Sequence, residues 1–210
     1  MLTYVEGETA PVCWSPAAAN EVGRILRQVH AVPIPPGDRT WMPWWGRNLP
    51  GGDIVLGHCD AAPWNFLAQR GLPVALLDWD TAGPVPRRWD VAQTAWLNCQ
   101  LHDDDVAAKI GLPNINARAA LLQAFATGYG LTPGQRFTLV SDMIEVATRT
   151  SAQEAIDAGV HEEGTSPAPM GLLGGGPPFE GAILVWAITW RVRSARWMLE
   201  HRSALESSVQ

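Results

Sequence analysis

Three short extended runs interrupt a chain otherwise patterned for helices, and they confine its fold more than any other feature. They are Asp53–Leu56, Asn65–Gln69 and Val74–Leu77. The last two flank Arg70-Gly71-Leu72-Pro73, a hairpin-like connection. Everything around them has helical period. Ser15 is placed as N-cap of a helix reaching about Val32, with Pro16 at the first helical position, where a missing N–H costs nothing. Val22, Ile25, Leu26 and Val29 give that helix one apolar stripe. Further helices are expected over Asp90–Leu101, Ala117–Tyr129, Thr132 to about Ala158, and Ala182 to Leu205. Thr132 and Gln135 form a capping box with Pro133 just inside, and Phe137, Val140, Ile144 and Ala147 share one face. The expected fold is α+β, mostly helical, with a small β element in its middle.

Length and composition bound the rest. The chain has 210 residues, 47% hydrophobic and 17% charged, enough to bury a core and too apolar for a disordered chain. One domain is expected over residues 1–210. Its net charge of −6 gives no basic field for nucleic acid or an anionic membrane. Cys13, Cys59 and Cys99 are odd in number and form no CxxC pair, which argues against a disulfide framework or a closed zinc site and for a reducing, cytoplasmic setting. The segment MLTYVEGETAPV has no apolar stretch of a signal peptide. The run Ala182–Trp190 is far short of the roughly 20 residues that span a bilayer. The loop Gly37–Gly52 carries Trp41, Trp44 and Trp45, read as core anchors. The loop Gly164–Gly181 is Gly- and Pro-rich, and its Gly174–Gly176 triplet precedes a helix rather than joining strands, so it is no phosphate loop.

Chemistry concentrates in Gly57-His58-Cys59-Asp60-Ala61-Ala62-Pro63-Trp64-Asn65, followed by Leu76-Leu77-Asp78-Trp79-Asp80. An H-x-D-x-x-x-x-N string between two strands puts a carboxylate and a carboxamide at one end of a β unit, and Asp78 stands where the next strand ends. Phosphoryl transfer uses such a set. One carboxylate orients the attacking hydroxyl and takes its proton, while an amide oxygen and a second carboxylate hold Mg²⁺ against nucleotide phosphates. Taken singly, Asp60 could merely cap a turn and Asp78 merely close a strand.

The segment resembles the aminoglycoside phosphotransferase and choline kinase-like branch of the protein-kinase-like fold. That branch carries His-Gly-Asp-x-x-x-x-Asn, then Ile-Asp-Trp-Glu or similar. The resemblance implies that Asp60 is the catalytic base, that Asn65 and Asp78 ligate magnesium, and that His58 braces the loop. Arg88-Trp89-Asp90-Val91-Ala92 is similar to the family's Asp-Leu-Ala helix start, which makes Asp90 a structural brace. Leu26–Pro33 is similar to the helix end upstream of the loop, and Tyr4-Val5-Glu6-Gly7-Glu8 to the hinge. The expected layout is therefore a hinge-like segment 1–14, a catalytic segment 53–80 and a helical subdomain 90–210. The implied cofactors are ATP and Mg²⁺, and the implied substrate is a hydroxyl on a small molecule, cationic or aminoglycoside-like if Asp103, Asp104 and Asp105 form an acidic wall. The bland reading of those three acids is a helix N-terminus.

Two positions depart from the family pattern. Cys59 stands where the family has Gly, with nothing nearby to mark a reactive thiolate. Lys109 is the sole lysine and follows Asp78, so no strand lysine or glycine-rich loop precedes the hinge. The expectation is a C-terminal lobe alone, weak or inactive without a nucleotide clamp, with Tyr4 and Val5 on a surface open to a homodimer or another chain. The competing expectation is a catalytically silent binding or toxin-immunity module of the same fold. Arg191, Arg193 and Arg196 are read as ion-pairing, and His30 and His201 as surface or capping groups.

Overall fold

A computed structural model describes residues 4–162, 164–165 and 181–210. Glu163 and the Gly174–Gly176 triplet, with most of its loop, lie outside the described residues.

Two small sheets carry segment 53–80. Strand β1 (Glu8–Thr9) comes from the hinge-like segment and pairs with β3 (Phe66–Gln69), which pairs with β4 (Leu72–Leu76), all antiparallel. The β3–β4 turn places Arg70 at φ 52° and Gly71 at φ 76°, the left-handed backbone that a tight hairpin needs. The first expected run, β2 (Ile54–Gly57), does not join this hairpin. It pairs with β5 (Gly83–Pro86), with Gly57 opposite Gly83. Pro84 and Pro86 hide β5 from pattern reading, since proline signals a break.

Helix α1 (Pro16–His30) is capped by Ser15, whose side chain accepts from Ala18 N–H. It packs along α4 (Ile115–Tyr129). Glycines make that seam close: a Cβ on Gly128 would lie 1.9 Å from the Asn20 carbonyl oxygen. Helix α5 (Pro133–Asp157) has the Thr132–Gln135 capping box and packs against α6 (Gly181–Glu200). Val140 and Ala147 are buried on it and Ile144 partly, but Phe137 is 75% exposed, because the packed face is rotated away from it toward Leu139, Met143 and Val146. The last helical stretch is two helices, α6 and α7 (Arg202–Val209), separated at His201. Among the described residues no helix is long and apolar enough to cross a membrane.

At the centre lies α2 (Arg87–Asn98), in which every residue from Trp89 to Asn98 is buried. A helix wrapped on all sides normally carries only apolar residues. This one buries Asp90, Gln93, Thr94 and Asn98 as well. That cost locates the site.

Candidate active site

The polar side chains of α2 stitch down the loop between β2 and β3. The Asp90 carboxylate accepts from the backbone N–H of His58 and of Cys59, each at 2.9 Å. Gln93 Nε2 donates to the Cys59 carbonyl at 2.9 Å, and Asn98 Nδ2 to the Ala61 carbonyl at 2.7 Å. Asn98 Oδ1 in turn accepts from Trp14 Nε1. Four backbone groups of the loop, on His58, Cys59 and Ala61, are thus held within one frame. Gly57 permits it, since a Cβ there would meet Asp90 Oδ2 at 2.7 Å and Val85 Cγ1 at 2.3 Å.

The frame holds an unusual backbone. Cys59 has φ 66°, the left-handed region that a side chain enters at a cost. A glycine would adopt it freely, which explains the family's preference there. The thiol is fully buried, and burial pushes its pKa well above the ordinary value, so it is no nucleophile.

His58 is buried and bridges the two sheets. Its Nε2 donates to the Leu77 carbonyl at 2.8 Å, and its Nδ1 faces the Asp60 N–H at 3.3 Å. Since Leu77 offers only an acceptor and Asp60 N only a donor, both nitrogens are satisfied by neutral imidazole. Burial lowers its pKa, in keeping with that form. Thr81 Oγ1 donates to the His58 carbonyl, and Arg47 bonds the Thr81 and Pro84 carbonyls, fixing the turn after Asp78.

Asp60 and Asn65 are bonded to each other, and Asp78 is near enough for its charge to act on Asp60. Asn65 Nδ2 donates to Asp60 Oδ2 at 2.8 Å and to the Asp60 carbonyl at 2.7 Å. Both partners only accept, so the amide nitrogen must face them and the amide oxygen is turned away, available to a hard cation. The Leu77 N–H donates to the Asn65 carbonyl at 2.8 Å, tying the approach to Asp78 to the same turn. Asp78 is exposed at φ 58°. Burial, then the charges of Asp78 and Asp90, push the Asp60 carboxyl up to about 6, against bonds from Asn65 and the Trp64 indole that lower it. The donor set of one amide oxygen and one exposed carboxylate beside a second carboxylate fits Mg²⁺.

The acids Asp103, Asp104 and Asp105 stand at the N-terminus of α3 (Asp104–Ile110), where Asp103 is the N-cap. Arg193 pairs with Asp103 and Asp105, while Asp104 accepts from Trp197 Nε1 at 2.9 Å and faces Arg118. None of these bonds reaches Asp60, Asn65 or Asp78. They neutralise the acids and clamp α6 onto α3. Arg191 pairs with Glu154 at 3.0 Å and Arg196 with Glu200. Arg191 is near enough to Asp60 to feel its charge.

One residue read as peripheral belongs to this site. His30 is buried, 2.9 Å from Asp90 Oδ2 and 2.7 Å from the Tyr129 hydroxyl. Its position was readable, one turn beyond Leu26 on the buried stripe of α1. Gln93 and Asn98 gave no comparable signal.

Comparison with known proteins agrees with this geometry. A profile of the phosphotransferase enzyme family matches residues 2–137. The chain belongs to that family. It is 40% identical over 212 residues to the trifolitoxin immunity protein of Rhizobium leguminosarum bv. trifolii, covering 99% of this chain and 76% of that protein. Two solved structures share the fold. One is an ethanolamine kinase of Plasmodium vivax, with TM-score 0.55 and 12% identity over 91% of this chain and 63% of the other. The second is a choline/ethanolamine kinase family protein of Mesorhizobium loti, with TM-score 0.53 and 15% identity over 98% of this chain and 71% of the other. The chain thus spans less than two thirds of the ethanolamine kinase.

Proposed function

We propose that this chain carries the acceptor-activating and magnesium-holding part of a phosphotransferase site that acts on a hydroxyl of a small molecule. The observation that supports this best is the joint placement of Asp60 and Asn65, with the Asn65 amide nitrogen spent on Asp60 and its oxygen left over. Asp60 takes the proton of the acceptor hydroxyl as its oxygen bonds to the terminal phosphorus and the bond from that phosphorus to the bridging oxygen breaks. A base near 6 suits that step at neutral pH, being ionised yet basic enough to accept a proton. Asn65 and Asp78 are the residues that would hold Mg²⁺, which neutralises phosphate charge when bound with ATP. Residues 1–52 contain no lysine to clamp the phosphates. Because phosphoryl transfer depends on positioning and charge stabilisation, turnover by this chain alone is expected to be slow.

A second reading is a binding or immunity module that keeps the fold without turnover. The immunity protein, similar across nearly the whole chain, favours it. Isothermal titration with Mg·ATP separates the two. Micromolar binding, abolished by Asp78→Ala, supports the phosphotransferase, and absence of binding supports the module. Turnover against amino-alcohol and amino-sugar acceptors then sets the rate, and a value near the roughly 1 s⁻¹ of ordinary kinases would overturn the expectation of a slow site.

A further inference from the structure

The brace on the catalytic loop does not end at Asp90. A carboxylate can only accept, so His30 Nε2 donates to Asp90 Oδ2 across 2.9 Å. In the neutral ring His30 Nδ1 is then the acceptor toward the Tyr129 hydroxyl at 2.7 Å. The same hydroxyl accepts from Arg87 Nη1 at 2.9 Å, and Arg87 pairs with the exposed Asp53 at 2.7 Å. Every donor in the series points the same way: Arg87 to Tyr129, Tyr129 to His30, His30 to Asp90. On the far side the His58 and Cys59 N–H groups meet the same carboxylate. The series joins the C-termini of α1 and α4 to the N-terminus of α2, three places distant in sequence, and runs from a partly exposed arginine to a fully buried acid. Bonds aligned head to tail polarise one another, so each member strengthens the next.

We infer that Tyr129 and Arg87 are positioning residues for Asp60, acting through His30 and Asp90 on the strained peptide at Cys59. The argument rests on the left-handed backbone of Cys59. That conformation is costly for a side-chain-bearing residue and persists because its surroundings over-determine it. Asp90 supplies two of the bonds that do so, and Gln93 supplies a third. Weakening Asp90's grip lets the 58–59 peptides open, and Asp60, the next residue, turns with them. Tyr129 fits the role of a relay rather than mere filler. Its ring is packed beside Phe125 and His30, while its hydroxyl serves two partners at once. Asp90 is held ionised by the groups that bond it. Burial pushes its carboxyl up, but the hydrogen bonds from His30 and the Cys59 N–H oppose that, and it lies below the ordinary value.

The inference rests on the reading of Asp60 as the base, but its test does not need turnover. Tyr129→Phe keeps the ring and removes only the hydroxyl. Amide hydrogen exchange on the whole chain is read at His58 and Cys59 and, as a control for global stability, at buried Leu122. The two loop amides are expected to exchange about fivefold faster, the loss of one hydrogen bond, with Leu122 unchanged. Cys59→Gly removes the strain that the series restrains, so adding Tyr129→Phe to Cys59→Gly is expected to change loop exchange less than twofold. Arg87→Gln, altered at the partly exposed end, is expected to act in the same direction as Tyr129→Phe and more weakly. Loop and core amides accelerating together, equal effects of Tyr129→Phe with and without Cys59→Gly, or unchanged loop exchange would each overturn the relay. Where turnover is present, Tyr129→Phe lowers kcat and leaves the KM for Mg·ATP unchanged. Accelerated loop exchange in a chain that does not bind Mg·ATP sinks the phosphotransferase reading and leaves the relay standing. Turnover with unchanged loop exchange does the reverse.

Discussion

Asp60→Asn is expected to stabilise the protein at neutral pH while destroying the site. The Asp60 carboxyl titrates near 6 in the folded chain against 3.8 for an ordinary aspartate, chiefly because burial disfavours its charge. A gap of about 2 units corresponds to about 3 kcal/mol of strain against the ionised form. The folded state binds this proton more tightly than the unfolded state, so stability falls as pH rises between about 4 and 6 and is level outside that window. Asparagine carries no charge to desolvate. It keeps an oxygen for Asn65 Nδ2 but loses the bond from the Trp64 indole, which offsets about 1 kcal/mol. The net gain at pH 7.5 is about 2 kcal/mol, or about 4–8 °C in Tm for a domain this size. Urea denaturation of both proteins across pH 4 to 7.5 reads the effect as a difference, so every other titrating group cancels. The variant should show no advantage at pH 4 and a growing one up to about pH 6.5. A difference that stays flat, or that favours the parent protein as pH rises, would refute the assignment of a buried, strained carboxylate at position 60.

The remaining substitutions test the frame around it. Asp90→Ala should cost about 3 kcal/mol or more in urea titration, because it leaves His58 N–H, Cys59 N–H and His30 Nε2 unpaired in the core; a loss below that of a surface substitution would remove Asp90 as the brace. Gly57→Ala places a Cβ 2.7 Å from Asp90 Oδ2 and 2.3 Å from Val85 Cγ1, so it should lower stability by about 2–3 kcal/mol, and Mg²⁺ binding by calorimetry should weaken with it. Gly128→Ala drives a methyl onto the Asn20 carbonyl at 1.9 Å and should destabilise by about 3 kcal/mol in thermal melts, prising α1 from α4.

What could be read from the sequence and what could not divide along a physical line. Helix starts were legible because caps act locally: Ser15 and Thr132 sit within three residues of the N–H groups they satisfy. The hairpin was legible for the same reason. The chemistry-bearing string was legible because Asp60 and Asn65 lie five residues apart on one turn and bond each other directly. β5 was not, since its pairing with β2 depends on a partner 26 or more residues away and its own prolines argue against a strand. Phe137 misled because the face that packs is rotated from the stripe it shares with Ile144, toward Leu139, Met143 and Val146.

The polar groups of α2 mark the deeper limit. Gln93, Thr94 and Asn98 look like the solvent side of an amphipathic helix, and only the presence of protein on every side turns them inward. Burial of the Gln93 and Asn98 amides is costly unless each finds a partner, and the partners available are backbone groups of residues 58–61, which cannot pair in a regular sheet once Cys59 turns left-handed. Each feature therefore requires the other. A loop kinked enough to present Asp60 and Asn65 to one ion exposes peptide groups that only a polar-faced central helix can satisfy. A central helix with that polar face would be intolerable against an ordinary strand. The same reciprocity explains why His30 was misread. Its role comes from Asp90 and Tyr129, and no spacing within α1 announces a carboxylate 60 residues further along the chain.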